Sequence, residues 1–159
     1  NNTIANGITD YIIKNDEKVK VRFVNRLDMN TSGLVIVAKN AYAHHTLSQD
    51  MSNDKVEKTY ITVVHGIVTN DKVIERLKDA TVLQVKLETG RTHQIRVHMN
   101  YIGHGIIGDE LYGYVNEELI NRQALHAYKL DFEQPRTKEK LSFEAELPKD
   151  IKNLIEKLR

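Results

Sequence analysis

Residues 25–33 read NRLDMNTSG, and the apolar run LVIVA follows at residues 34–38. A continuous apolar run after a glycine predicts a strand that is covered on both faces. Arg26 and Asp28 are two positions apart, so in an extended segment their side chains point the same way. The stretch therefore predicts a carboxylate beside a guanidinium, at the turn that leads into a buried strand.

A second dense stretch, TGRTHQIRVH at residues 89–98, supplies the cations that such a carboxylate needs. Between Glu88 and Asp109 the chain has no acidic residue. The formal net charge is only +1, so bulk charge argues weakly for nucleic acid and the local excess of cations matters more. A basic face on a near-neutral protein predicts a surface that binds phosphate groups.

The composition is that of an ordinary soluble domain. The chain has 159 residues, of which 40% are hydrophobic and 28% charged, and it has no cysteine. This excludes a disulfide framework and thiolate metal sites. No run approaches the roughly 18 apolar residues of a membrane helix, and residues 1–6 lack the order of a signal peptide. We expect one domain, residues 1–159, that is monomeric and cytoplasmic.

Hydrophobic periodicity predicts the secondary structure. Helices are predicted at residues 1–14, at 43–51, after Thr92 and after Pro148, and strands at 34–38, 58–68, 83–87, 125–132 and 141–147. Strands joined by short turns, with few helices, indicate an α+β fold in which helices flank a mixed, mainly antiparallel sheet.

Two helices have an expected cap and an expected buried face. Asn1 or Asn2 is expected to cap the first helix, which turns one apolar face inward: Ile4, Ile8, Tyr11 and Ile12. Thr92 is expected to cap the third helix and Gly103 to end it, with an inward face made of Ile95, Met99 and Ile102.

The two dense stretches resemble the RluA-type family of RNA pseudouridine synthases. That family carries the motif HRLDxxTSG, which the chain matches from Arg26 to Gly33, with Asn25 in place of the usual histidine. The other matching blocks are Lys58-Thr59-Tyr60, Thr89 to His98, Gly108-Asp109-x-x-Tyr112-Gly113 and Arg122-Gln123-x-Leu125-His126-Ala127. Five blocks in the same order make a chance match untenable.

The resemblance implies an isomerase that converts uridine in RNA to pseudouridine. The N1–C1′ bond of uridine breaks, the freed uracil turns, and its C5 atom joins C1′. Because nothing is oxidised or hydrolysed overall, no cofactor and no metal is expected. The family implies RNA as the partner, with large-subunit ribosomal RNA as the first candidate substrate and transfer RNA as the second.

The resemblance also implies three catalytic residues. Asp28 is the carboxylate that either attacks C1′ or removes the C2′ proton, and the sequence leaves both routes open. Arg96 is expected to form a salt bridge with Asp28 and so favour its ionised form. Tyr60 is expected to stack on the uracil. Without the resemblance, Asp28 would be a turn residue and Tyr60 a core residue.

Four further residues are expected to bind the substrate. Arg26 helps to move the target nucleotide out of its stack, because C1′ and C5 cannot both be reached inside a helix. Ile95 packs against the base, with ordinary core as the alternative, and Arg91 and His93 contact phosphates or hold the loop. A metal site from His93 and His98 is disfavoured, because residues five apart on a helix diverge.

The chain departs from the family pattern in three ways. The usual upstream strand and the N-terminal RNA-binding domain of the S4 type are missing, and residues 66–80 are short. We therefore expect an N-terminal truncation and omitted residues near Glu75 and Arg76. Two alternatives stay open: an inactive RNA-binding relative, which Asn25 would favour, and a glycoside hydrolase that uses Asp28 and Asp109 as paired carboxylates.

Overall fold

A computed structural model describes residues 3–69 and 72–159. The elements in chain order are α1 (Ile4–Lys14), β1 (Arg22–Phe23), β2 (Ser32–Gly33), β3 (Val37–Ala38), α2 (Ala41–Ser52), β4 (Glu57–His65), β5 (Val73–Arg76), β6 (Ala80–Leu87), α3 (Gln94–Tyr101), β7 (Leu125–Glu133), β8 (Lys140–Glu144) and α4 (Lys149–Leu158).

The main sheet has six strands in the order β2-β7-β4-β6-β5, and β8 pairs with β7 as well. β4 runs antiparallel to both β6 and β7, whereas β2 runs parallel to β7. β1 and β3 form a separate antiparallel ribbon of two strands. The expected α+β fold with a mainly antiparallel sheet is confirmed.

The core lies around the central strand β4. Val63 and Val64 are neighbours on β4 and both are fully buried, which means that this part of the sheet is covered on its two faces. Ile95 of α3 and Ile151 and Leu154 of α4 belong to the same buried cluster. Burying each such side chain stabilises the fold by about 1.5–3 kcal/mol. Burial of Ile95 therefore anchors the first turn of α3, which lies within the basic stretch at residues 89–98.

The prediction of one continuous strand at residues 34–38 was wrong. The chain pairs with β7 only at Ser32 and Gly33, and it then crosses to the small ribbon, where Val37 pairs with Phe23. The run is apolar because Leu34 and Ile36 pack in a second, smaller cluster beside α2. The apolar pattern predicted their burial correctly, but it could not predict that the chain leaves β7 for the ribbon of β1 and β3.

Gly33 makes this crossing possible. Its φ is +122°, and a Cβ atom at this position would lie 2.3 Å from the backbone oxygen of Ala127. Only glycine combines this backbone angle with so close an approach of two chains. The segment after Asp28 is therefore held directly against β7.

The predicted cap of α3 was also wrong. The helix begins at Gln94 after His93, whose φ is +55° and whose side chain makes no capping hydrogen bond. Instead Gln94 reaches back, so that its Oε1 accepts hydrogen bonds from the Thr89 hydroxyl at 2.7 Å and from the Arg91 amide at 3.1 Å. Gly103 ends the helix as expected, with φ +81°, whereas Ile102 is 55% exposed instead of buried.

α1 is capped by the side chain of Thr3, and the expected caps Asn1 and Asn2 lie outside the described residues. Its predicted inward face was partly wrong, because Ile4 and Tyr11 are exposed and Ile12 alone is buried in this helix. The other predicted helices and strands are present, with ends shifted by a few residues, whereas β1 and β5 were not predicted.

Candidate active site

A cavity of about 360 Å³ opens between the segment that contains Asp28, strand β4 and the loop before α3. Five of the residues singled out in the sequence line it: Arg26, Asp28, Tyr60, Arg91 and Ile95. The alternation of side chains predicted that Arg26 and Asp28 face the same way, and both do face this cavity. His93 and Arg96 do not line the cavity, but each lies next to Asp28.

Asp28 lies between two cationic or potentially cationic groups without a short bond to either. Its Oδ2 is 4.0 Å from Arg96 Nη1, and its Oδ1 is 4.0 Å from His93 Nε2. The carboxylate is 21% exposed, and that exposed part faces the cavity. A nearby guanidinium favours the charged form of a carboxylate. Asp28 is therefore a carboxylate that is electrostatically supported and still accessible to a ligand.

The short partner of Arg96 is Asp109, which the sequence did not indicate. Arg96 Nε and Nη2 donate to Asp109 Oδ2 and Oδ1, both at 2.7 Å. Asp109 has no exposed surface, and its Oδ1 also accepts hydrogen bonds from the amides of Leu111 and Tyr112. This bidentate pair fixes the plane of the guanidinium and so fixes the position of Nη1 relative to Asp28.

The electrostatics of this pair follow from its geometry. Burial alone would raise the pKa of the Asp109 carboxyl, but the hydrogen bond from Arg96 and the two amides hold it below its ordinary value. Conversely, the hydrogen bond to Asp109 raises the pKa of Arg96, with Asp28 as a smaller cause. Both groups are therefore charged at neutral pH, and Asp109 does not line the cavity.

Tyr60 is a neutral phenol at neutral pH. Burial raises its pKa to about 12, and the negative charge of Asp28 adds to this shift. The phenol can therefore donate a hydrogen bond, and it lies near Asp28 in the same cavity. Ile95 is buried in the core cluster and also lines the cavity. Its position is therefore compatible with core packing and with contact to a base, the two roles that the sequence left open.

Tyr112 holds the start of α3. Its hydroxyl oxygen is 3.2 Å from His93 Nδ1, and its ring lies under the Arg96 guanidinium at 5.2 Å from the centroid. A cation over an aromatic face is attracted to it. The loop at residues 108–113 therefore contacts both groups that lie beside Asp28.

Two residues of the last matching block hold the loop that carries Asp28, a role that the sequence did not assign. Gln123 Nε2 donates to the carbonyl oxygen of Met29 at 2.6 Å. Arg122 Nη1 donates to the carbonyl oxygen of Asn30 at 2.9 Å, while its Nε binds Asp150 at 2.6 Å. The loop is thus fixed to the segment that precedes β7.

Asn25, which replaces the family's histidine, has a structural contact. Its side-chain oxygen accepts a hydrogen bond from the amide of Ile36 at 2.7 Å. This bond ties the beginning of the segment that carries Asp28 to the ribbon of β1 and β3.

Lys58 belongs to a matching block, but the sequence assigned it no role of its own. It lines the cavity although only 5% of it is exposed. A signal existed, because Lys58 and Tyr60 alternate on β4 and alternate residues of a strand share a face.

Within the described ranges, no helix is long and apolar enough to span a membrane. Over the same residues, no group of three or more histidine or carboxylate side chains could hold a metal ion.

The sequence family described as RNA pseudouridylate synthase matches residues 7–79. An uncharacterized RNA pseudouridine synthase of Bacillus subtilis, YjbO, is 40% identical over 184 residues, with coverage of 96% of this chain and 65% of the relative. Ribosomal large subunit pseudouridine synthase D of Neisseria meningitidis is 34% identical over 199 residues, with coverage of 99% and 53%. The chain thus spans between half and two thirds of these curated relatives.

Two solved structures are similar as well. Human RNA pseudouridylate synthase domain containing 1 has a TM-score of 0.67 and 25% identity over 79% of this chain and 69% of that structure. Human RNA pseudouridylate synthase domain containing 4 has a TM-score of 0.79 over 95% and 83%, and at 16% identity it supports the fold alone. The chain belongs to the RluA-type family of RNA pseudouridine synthases.

Proposed function

We propose that this chain is the catalytic part of an enzyme that isomerises uridine in RNA to pseudouridine, with Asp28 as its essential carboxylate. The observation that carries the proposal is the position of Asp28, accessible in the cavity with Arg96 and His93 each at 4.0 Å. The cavity volume of about 360 Å³ lies within the range of ligand sites.

In this proposal the side chains divide the reaction between them. Asp28 acts at the sugar, by attack on C1′ or by removal of the C2′ proton, with the Arg96 guanidinium 4.0 Å away. Tyr60 and Ile95 contact the uracil, with the neutral Tyr60 hydroxyl available as a hydrogen-bond donor. Because the reaction is an isomerisation, the proposal includes neither a cofactor nor a metal.

Large-subunit ribosomal RNA is the proposed substrate and transfer RNA the second choice. The support for the first is the name of the Neisseria relative, which says what that protein modifies. We accordingly propose that the enzyme acts in the cytoplasm. A monomeric state and residues missing near Glu75 and Arg76 stay predictions of the same proposal.

The two alternatives are less well supported. A glycoside hydrolase needs two carboxylates that flank the scissile bond, but Asp109 is fully buried and bound to Arg96 on both oxygens. An inactive RNA-binding relative was favoured by Asn25, yet that residue makes a structural hydrogen bond to a backbone amide. Moreover, Asp28, Tyr60 and Arg96 are all present at the site.

Release of tritium from C5 of uridine tests the proposed function. Ribosomal RNA that lacks the modification and carries tritium at C5 should lose the label when the protein is added, because C5 exchanges its hydrogen for the bond to C1′. Transfer RNA treated in the same way tests the second substrate. No release from either RNA would overturn the proposal.

Replacing Arg91 with alanine should weaken RNA binding and flatten its salt dependence. Arg91 is exposed at the mouth of the cavity, where a phosphate contact would release counterions. The slope of log K against log salt should fall in magnitude by about 0.7–1, as measured by fluorescence anisotropy. The matched control is Arg136→Ala, an exposed arginine of the β7–β8 turn. Equal slopes for the two variants would exclude the phosphate contact.

A further inference from the structure

Lys58 is a largely buried lysine whose ammonium group has no partner in the described protein. The residue is 5% exposed, and the transfer of an ammonium group from water into a protein is unfavourable unless it is paired. Among residues 3–69 and 72–159, no carboxylate forms a salt bridge with Lys58 and no protein acceptor bonds to its ammonium group. Its neighbour Glu57 binds Lys86 instead, at 2.7 Å.

The ammonium group faces the cavity that contains Asp28. Lys58 and Tyr60 lie on the same face of β4, and Leu87, which is opposite Lys58 on β6, lines the cavity with them. At the far end of the side chain, Nζ is 3.8 Å from the position that a Cβ atom of Gly90 would take. An unpaired ammonium that borders a ligand cavity indicates an anionic oxygen in the ligand.

The depth of Lys58 decides which part of an RNA substrate this is. Arg26 and Arg91 line the same cavity but are exposed, so they lie at the rim, where a phosphate backbone stays. A base turned out of its stack enters the pocket ahead of its backbone. Lys58 is 5% exposed and shares a face of β4 with Tyr60, which favours contact with the base over contact with a phosphate.

We propose that Lys58 is a catalytic residue that stabilises the negative charge of the departing uracil. This inference rests on the proposed function. When the N1–C1′ bond breaks, its electron pair stays on the base, and the charge spreads from N1 to the carbonyl oxygens. The Lys58 ammonium donates a hydrogen bond to one of these oxygens. C5 then bonds to C1′, which releases Asp28 on the nucleophilic route or is joined by return of the C2′ proton from Asp28 on the other. C5 loses its proton to solvent and N1 takes one up, so that atoms and electrons balance by either route.

The test compares two leaving groups in the RNA that releases tritium. Single-turnover loss of uridine, and of 5-fluorouridine at the same position, is measured by nucleoside analysis. Fluorine stabilises the detached base as an anion, so this base depends less on Lys58. Lys58→Met should slow loss of uridine by about 100-fold or more and loss of 5-fluorouridine by at most a tenth of that factor, with RNA affinity unchanged. Lys58→Arg should recover most of the uridine rate.

The matched control is Lys86→Met, a lysine on β6 whose ammonium pairs with Glu57 near the surface, and its rates should equal those of the wild type. If Lys58→Met slows the loss of uridine and the loss of 5-fluorouridine by the same factor, the inference is overturned while the proposed function stands. A weaker affinity with a flatter salt dependence would assign Lys58 to a phosphate instead. If Lys58→Met is unfolded by circular dichroism, Lys58→Gln undergoes the same comparison. No loss of uridine with the wild type overturns the proposed function and this inference together.

Discussion

Replacing Asp28 with asparagine should abolish the release of tritium from C5, with a loss of about 10⁴-fold or more. The amide has the shape of the carboxylate, but it can neither attack C1′ nor accept the C2′ proton. RNA affinity should be unchanged or slightly higher, because the variant loses a negative charge near phosphates. Single-turnover rates and anisotropy titrations measure the two quantities separately.

The control for this prediction is Asp54→Asn. Asp54 is exposed in the turn after α2 with φ +55°, a conformation that asparagine adopts readily. Both variants lose one carboxylate, so a general effect of charge would lower both rates alike. Turnover retained by Asp28→Asn would contradict the proposed role of Asp28, whichever route the reaction follows.

Sequence patterns predicted what depends on local periodicity. The alternation in β6 and β8 predicted those strands, and the two-residue spacing of Arg26 and Asp28 predicted that their side chains point the same way. The run at residues 34–38 failed because apolar residues record burial and not the neighbour that covers them. In this chain the cover changes from β7 to the ribbon of β1 and β3 within a few residues.

The partners of the charged groups could not be predicted from spacing. Arg96 is on α3 and Asp109 is in a loop after it, and only the folded chain joins the two. An aspartate after a glycine is typical of a turn, which concealed its role as the short partner of Arg96. Similarly, Gln123 reaches the backbone of Met29 across the interior, and no periodicity relates those positions.

Replacing Asp109 with asparagine should lower the free energy of unfolding at about pH 7 by about 3–5 kcal/mol. The variant leaves the Arg96 guanidinium buried without its bidentate partner, and the desolvation of that charge is no longer offset. Chemical denaturation with urea measures the change. Asp150→Asn is the control, because Asp150 also pairs with Arg122 at 2.6 Å but is 40% exposed. Its loss should be at most about 1 kcal/mol.

The same pair should give the stability of the protein a component that disappears in acid. The folded-state pKa of Asp109 lies below the ordinary value of 3.8, whereas the unfolded chain keeps that ordinary value. The stabilisation is therefore complete above 3.8 and is lost as the pH falls through the lower, folded-state pKa. Urea titrations of the wild type and Asp109→Asn should differ by a constant amount from about pH 7 to 5. Below about pH 4 the difference should shrink, because a protonated Asp109 resembles the amide. A difference that grows in acid would mean that Asp109 is protonated in the folded protein and that another group neutralises Arg96.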